Sequence, residues 1–128
     1  MPLYCCTNDA CMKNIKLIEV PCEIGAGTRG ASLGIEAIKI AALDFMSNFF
    51  IHFPSEKIPT ENKLLYEPIE SPYAKRIKGV AAIYDRVSKA VSDTLKNNFF
   101  PVVISGDHST AGATIAGIKM AKPKSKLG

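Results

Sequence analysis

Apolar residues gather along this chain in short runs and two longer periodic stretches, and the stops between them are prolines, glycines and asparagines. Lys16-Leu17-Ile18-Glu19-Val20 reads as a short strand, stopped by Pro21. Cys22 to Gly30 follows as a loop carrying Gly25, Gly27 and Gly30. From Ser32 the spacing changes: Leu33, Ile35, Ala37, Ile38, Ala41, Ala42 and Phe45 recur at three- and four-residue intervals, which predicts a helix wide enough to pack on a sheet. Ser32 and Glu36 lie one residue outside capping-box spacing. Asn48 to Phe53 predicts a second strand, closed by Pro54. Pro54, Pro59, Pro68 and Pro72 then deny helix and central strand alike, so a long surface loop is expected. Lys75 to Asn98 predicts the longest helix, with Ile77, Val80, Tyr84, Val87, Val91, Thr94 and Leu95 on one stripe and Asn97-Asn98 ending it. Val102 to Ser105 reads as a third strand, and Thr110 to Ala121 as a further helix rich in Ala and Gly.

The order β-α-β-loop-α-β-α argues for an α/β protein built on a parallel sheet. A length of 128 residues with 47% apolar content suits one globular domain with a real core. No run approaches the roughly 20 apolar residues of a membrane span. Met1 to Asn14 lacks the apolar core of a secretory signal, so a cytoplasmic chain with no membrane partner is expected. The four cysteines, Cys5, Cys6, Cys11 and Cys22, form no CxxC pair and have no nearby histidine, which favours free thiols over zinc or disulfides. The net charge of +4 owes much to Lys119, Lys122, Lys124 and Lys126. These lysines have no aromatic residues among them and read as a solvated face, so no nucleic-acid partner is expected.

Two stretches carry candidate chemistry. Gly25-Ala26-Gly27-Thr28-Arg29-Gly30 spells GxGxxG between a strand and a helix, the pattern of a dinucleotide loop. Here, however, Pro21 breaks the strand before the first glycine, and Asp44, at ribose-binding distance, falls inside the first helix. A glycine loop leading into a helix is the plainer reading. The second stretch is Gly106-Asp107-His108-Ser109, set directly after the third strand. Open α/β sheets bind ligands outside the carboxyl ends of their strands. His108 stands there between a carboxylate and Ser109, a residue suited to cap the next helix, and neutral imidazole is the commonest metal ligand of proteins. A metal role and a purely structural one both stay open on these grounds. His52, between Ile51 and Phe53, reads as structural.

Val102-Val103-Ile104-Ser105-Gly106-Asp107-His108-Ser109 resembles the first metal-binding motif of the arginase/agmatinase (ureohydrolase) family, GGDHS after an apolar strand. Gly27-Thr28-Arg29-Gly30-Ala31 with Leu33-Gly34-Ile35-Glu36-Ala37-Ile38 is similar to the family's first loop and helix, and Pro21 after the first strand fits as well. Ser105 replaces the motif's first glycine, and Ile35 stands where a proline is common. The resemblance implies a three-layer α/β/α sandwich with a parallel sheet, incomplete here. Residues 1–13 would be an N-terminal extension, and 14–128 the N-terminal part of a ureohydrolase domain. It further implies two manganese ions (Mn2+) in the complete protein, a bridging hydroxide that attacks a guanidinium carbon, His108 as one metal ligand, and a homo-oligomer.

The family's other ligands come from Asp-x-His-x-Asp and Asp-x-Asp motifs. Neither occurs in this sequence, which holds no His, Asp or Glu after His108. No catalytic residue is therefore assigned within the chain, and the chain alone is expected to be inactive. The complete protein would hydrolyse arginine to ornithine and urea, with agmatinase or formimidoylglutamase chemistry as alternatives. A non-catalytic remnant or binding module is the alternative of another class. The family's strand order would place the three strands as 2-1-3, with strand three covered on both faces by helices. Val102-Val103-Ile104 would then be an apolar, proline-free open edge prone to self-association.

Overall fold

In the computed structural model, which describes residues 14–127, the first apolar run becomes the central strand of a sheet. β1 (Ile15–Val20) is flanked by β2 (Ser55–Lys57) and β3 (Phe100–Ser105), both parallel to it, in the order β2-β1-β3. The expected parallel sheet and strand order are thus found. β1 is central because both its faces are apolar or paired: Leu17, Ile18, Glu19 and Val20 are all buried.

The second strand lies elsewhere than predicted. Phe49–His52 is a short helix, α2, and the strand begins only after Pro54. An apolar run of this length has no period to separate strand from helix. The Asn48 carbonyl accepts the N–H groups of Ile51 and His52, and Phe49, Phe50 and Phe53 stack edge to face. Pro54 opens the strand instead of closing it, since its role needs only an acceptor: its carbonyl takes the Leu17 N–H at 2.8 Å. His52 is exposed and packs edge-on against Phe53. The proline-rich stretch accordingly holds an edge strand and a 3-10 turn at Asn62–Tyr66, not loop alone.

Helix α1 (Leu33–Asp44) leads out of the glycine loop, α3 (Ile77–Lys96) precedes β3, and α4 (Ala111–Ala121) follows it. α3 ends at Asn97-Asn98 as expected, with Asn98 in the left-handed region at φ 60° and the Phe99 N–H returning to the Thr94 carbonyl. Ile18 and Val20 point from β1 into a core shared with Ile24, Ile58, Ile83, Val87, Val91 and Ala113. α4 rests on α3 at backbone distance, because a Cβ on Gly117 would stand 2.5 Å from the Ser88 carbonyl oxygen. Ile77, placed on the α3 stripe, is exposed.

The opposite face of β1 presents Leu17 and Glu19. The Glu19 carboxylate is 3% exposed and is held by Lys39 Nζ of α1 at 2.7 Å and by the Ser55 hydroxyl. Burial pushes its pKa up, but the hydrogen bonds from Lys39 and Ser55 and the charges of Lys39 and Lys57 outweigh that and hold it below the usual value. α1 is otherwise lightly covered: Ile35 is its one buried residue, while Leu33, Ile40 and Leu43 are exposed.

β3 departs from expectation twice. It starts at Phe100 and so contains Pro101, and its residues from 101 to 105 are half-buried, not covered on both faces. Pro101 is tolerated because the N–H groups of Phe100 and Gly106 bond to β1, which sets the phase: position 101 points its missing donor away from the sheet. Cys5, Cys6, Cys11 and the extension 1–13 lie outside the described residues; Cys22 is a buried free thiol.

Candidate functional site

Parallel pairing brings the C-terminal ends of β1 and β3 level, with Val20 opposite Ser105. The chain leaves both strands through segments that interlock. Gly106 donates its N–H to the Val20 carbonyl at 3.0 Å, and a Cβ there would stand 2.5 Å from the Cys22 carbonyl oxygen and 3.0 Å from that of Ala31. The glycine of the cluster therefore answers to close backbone approach.

Asp107 follows and its carboxylate is fully engaged. Oδ1 accepts the Ser109 N–H at 3.0 Å and the Ser109 hydroxyl at 2.5 Å. Oδ2 accepts the N–H groups of Gly25 at 3.0 Å and Ala26 at 3.3 Å. Asp107, not Ser109, is thus the cap of the turn His108–Thr110 that leads into α4. Burial raises its pKa, but these donors prevail and keep the carboxyl below its ordinary range. The amides of the GxGxxG segment that a phosphate would need are spent on this carboxylate. Gly25 has no room for a side chain, since a Cβ would stand 2.5 Å from Ser109 Cβ. Behind it the Cys22 thiol lies 3.8 Å from the Ser109 hydroxyl, and burial pushes its pKa up, the state of an inert thiol.

A second buried carboxylate, which the pattern of the sequence did not single out, shapes the loop from within. Glu23 is 1% exposed. Its Oε1 accepts the N–H groups of Gly30 at 2.9 Å and Ser32 at 3.1 Å, together with the Ser32 hydroxyl. Its Oε2 is ion-paired with Arg29 at 3.2 Å, and that guanidinium lies over the Tyr66 ring. The Ser32 hydroxyl is the largest cause holding the Glu23 pKa low, against the opposing effect of burial. Asn62 fixes the loop from the other side, donating to the Pro21 carbonyl at 2.8 Å and accepting the Glu23 N–H at 3.0 Å. An acid between Cys22 and Ile24, ahead of a glycine-rich segment with many unpaired amides, was the signal that could have found it.

Against this rigid frame His108 is the free element. It is exposed and stands at the mouth of a groove of about 460 Å³. Pro101, Val103 and Ser105 of β3 form one wall of the groove, and Ala111, Thr114 and Ile115 of α4 the other. The structure thus brings His108, Asp107 and the glycine loop together at the strand ends and leaves His52 far along the chain in α2. Among the described residues, no three His, Cys, Asp or Glu side chains converge as a metal cage. Asp107 already accepts two hydrogen bonds on each oxygen. The residues described therefore do not by themselves fit a metal ion. No described helix is long and apolar enough to cross a membrane. Of the C-terminal lysines, Lys119 is tied to the carbonyls of Pro123 and Ser125.

The chain is similar to known proteins over nearly all of its length. A family model described as "Arginase family" matches residues 13–127. An arginase of Brevibacillus brevis is 33% identical over 118 residues, covering 83% of this chain and 36% of its own length. An arginase of Bacillus caldovelox is 32% identical over 122 residues, covering 91% and 39%. Among solved structures, the native arginase from Bacillus caldovelox superposes with a TM-score of 0.64 at 30% identity, over 84% of this chain and 36% of that one. A crystal structure of arginase from Bacillus subtilis gives 0.62 at 28% identity, over 82% and 33%. The chain spans somewhat more than a third of the length of the curated relatives it matches.

Proposed function

The chain belongs to the arginase family, and from that premise we propose that it is part of a manganese-dependent hydrolase of guanidino compounds, with arginine as substrate and His108 as one ligand of the metal centre. The observation that carries this reading is the exposed His108 on a backbone fixed by Asp107 and Gly106, at the carboxyl end of β3, in a chain about one-third identical to arginases. A metal ligand must keep a free ring nitrogen and a fixed backbone, and His108 has both kinds of freedom and restraint. The other ligands of such a centre would come from residues outside those described here, because among the described residues no three His, Cys, Asp or Glu side chains converge to hold a metal.

The test is a chimera in which residues 13–127 replace the matching segment of the Bacillus caldovelox arginase. A folded chimera that releases urea from arginine in the presence of manganese supports the reading. Turnover of agmatine or formimidoylglutamate instead would move the substrate assignment, and a folded chimera inert towards all of them would favour a binding module. The isolated chain should bind manganese no more tightly than the millimolar range, since one imidazole cannot hold a hard cation that prefers several oxygen ligands. Titration calorimetry showing a stoichiometric micromolar site would contradict this assignment of ligands.

A further inference from the structure

Both ends of the glycine loop are fastened to one residue. The Glu23 carbonyl accepts the Gly27 N–H at 3.1 Å, closing the turn that presents the Gly25 and Ala26 amides to Asp107. The Glu23 carboxylate reaches the far end of the loop, where Gly30 and Ser32 donate to Oε1. Ala31 lies between those two donors and is set in place by them. Its carbonyl takes the Gly34 N–H at 3.2 Å to begin α1 and also walls the space beside Gly106. The other wall of that space is the carbonyl of Cys22, the neighbour of Glu23.

We infer that Glu23 is a positioning residue for the cluster at the strand ends: its carboxylate, acting through the loop, holds Gly106 and Asp107 and so the backbone from which His108 projects. Its partners are Gly27, Arg29, Gly30, Ser32 and Asn62, so its action on the cluster is indirect. Two routes lead there. One runs through Ala31 to Gly106, where the fit is too close for any side chain. The other runs through the 23–27 turn to Asp107 Oδ2, and from Oδ1 of the same carboxylate to the Ser109 N–H beside His108.

The chemistry of the side chain suits this task. Two amides and a hydroxyl converge on a single oxygen that is withdrawn from water, so each bond is strong and none is replaced in place when the acceptor is lost. Without it, Gly30 and Ser32 find acceptors by turning their N–H groups to solvent, and Ala31 moves off Gly106 with them. An amide would serve nearly as well as the carboxylate. Its one carbonyl oxygen can take the place of Oε1, and Arg29, about half exposed, can turn to water for its partner. The effect on loop order does not depend on the proposed enzymatic activity, whereas the effect on turnover rests on the proposed role of His108.

Hydrogen exchange read by mass spectrometry, on the full chain and on the folded chimera, tests it. Glu23→Ala should speed exchange of the peptide spanning 105–110 roughly tenfold or more, while α3 peptides around Val87 and Val91 stay as in the wild type. Glu23→Gln should remain within about threefold of wild type in both regions. Ser32→Ala removes one of the three donors, should move the same peptide in the same direction, and stands in if Glu23→Ala does not fold. In the chimera, Glu23→Ala should lower kcat for arginine roughly tenfold or more with KM changed less than about threefold, and Glu23→Gln should recover most of the loss. Acceleration of every peptide by one common factor would make Glu23 a general stabiliser and overturn the inference. So would unchanged exchange at 105–110, or an unchanged kcat in a chimera whose parent is active. A parent chimera without turnover defeats the activity reading alone, because exchange at 105–110 then decides the role of Glu23.

Discussion

Replacing His108 by alanine in the folded chimera should reduce urea release by roughly 100-fold or more, with the thermal midpoint little changed. Loss of an outer partner of a metal ligand already costs about 10–100-fold in affinity or activity, so loss of a ligand should exceed that range. The fold should survive because the His108 side chain is exposed and none of the bonds that lock the loops involves it. His52→Ala is the matched control: that ring packs on Phe53 in α2, remote from the strand ends, and its loss should leave turnover intact. Raising manganese should partly restore the His108→Ala protein if the defect is one of metal affinity. Unchanged turnover at limiting manganese would make His108 structural and sink the assignment.

The parts of this molecule that its sequence announces are those where a long enough period meets a chemical stop. β1 ends at Pro21, α3 at Asn98 with its left-handed φ, and β3 at Gly106, whose missing side chain makes room for two carbonyls. Each is a local cause with a local effect. Phe49–His52 fails that test, because a short apolar run without a period suits helix and strand equally, and the outcome hangs on what Asn48 and Pro54 do with their carbonyls. α1 misleads in another way: its apolar positions predict a helix with a wide face packed on the sheet, yet Ile35 is its one buried residue.

At the site, the place of His108 was legible, being set by the end of a strand. The role of Asp107 was not. Its partner Gly25 lies 82 residues earlier, and the two meet only once β1 and β3 have paired in register. Glu23 and Asn62 are hidden for the same reason, since their value lies in backbone groups that the loop exposes only when folded. Long-range satisfaction of amides leaves no periodic trace in a sequence.

Lys39→Met should be strongly destabilising, at about 3–5 kcal/mol near neutral pH, because it takes from the buried Glu19 carboxylate the one cation bonded to it. The methionine keeps most of the packing volume, so the loss reports charge and not a cavity. The sign of the pH dependence separates this from simple unpacking. In the wild type the Glu19 pKa is depressed, so its contribution is fully present above the ordinary carboxylate value, about pH 4, and is lost as pH falls through the lower folded value. Without Lys39, burial dominates and the folded pKa should rise above the unfolded one. The variant then recovers stability as the carboxyl takes up a proton. The difference between wild type and Lys39→Met should therefore shrink on going from pH 7 to pH 4. Glu23 and Asp107, also depressed, weaken both proteins alike on acidification and cancel in that difference. Changing Glu19→Gln in the Lys39→Met background should restore much of the loss at pH 7 and flatten the difference, since the amide still accepts from Ser55 and carries no charge. Urea denaturation of the three proteins at the two pH values measures all of this. A loss below about 1 kcal/mol, or one that does not change with pH, would mean that Glu19 is solvated in solution and that α1 does not seal the face of the sheet it lies on.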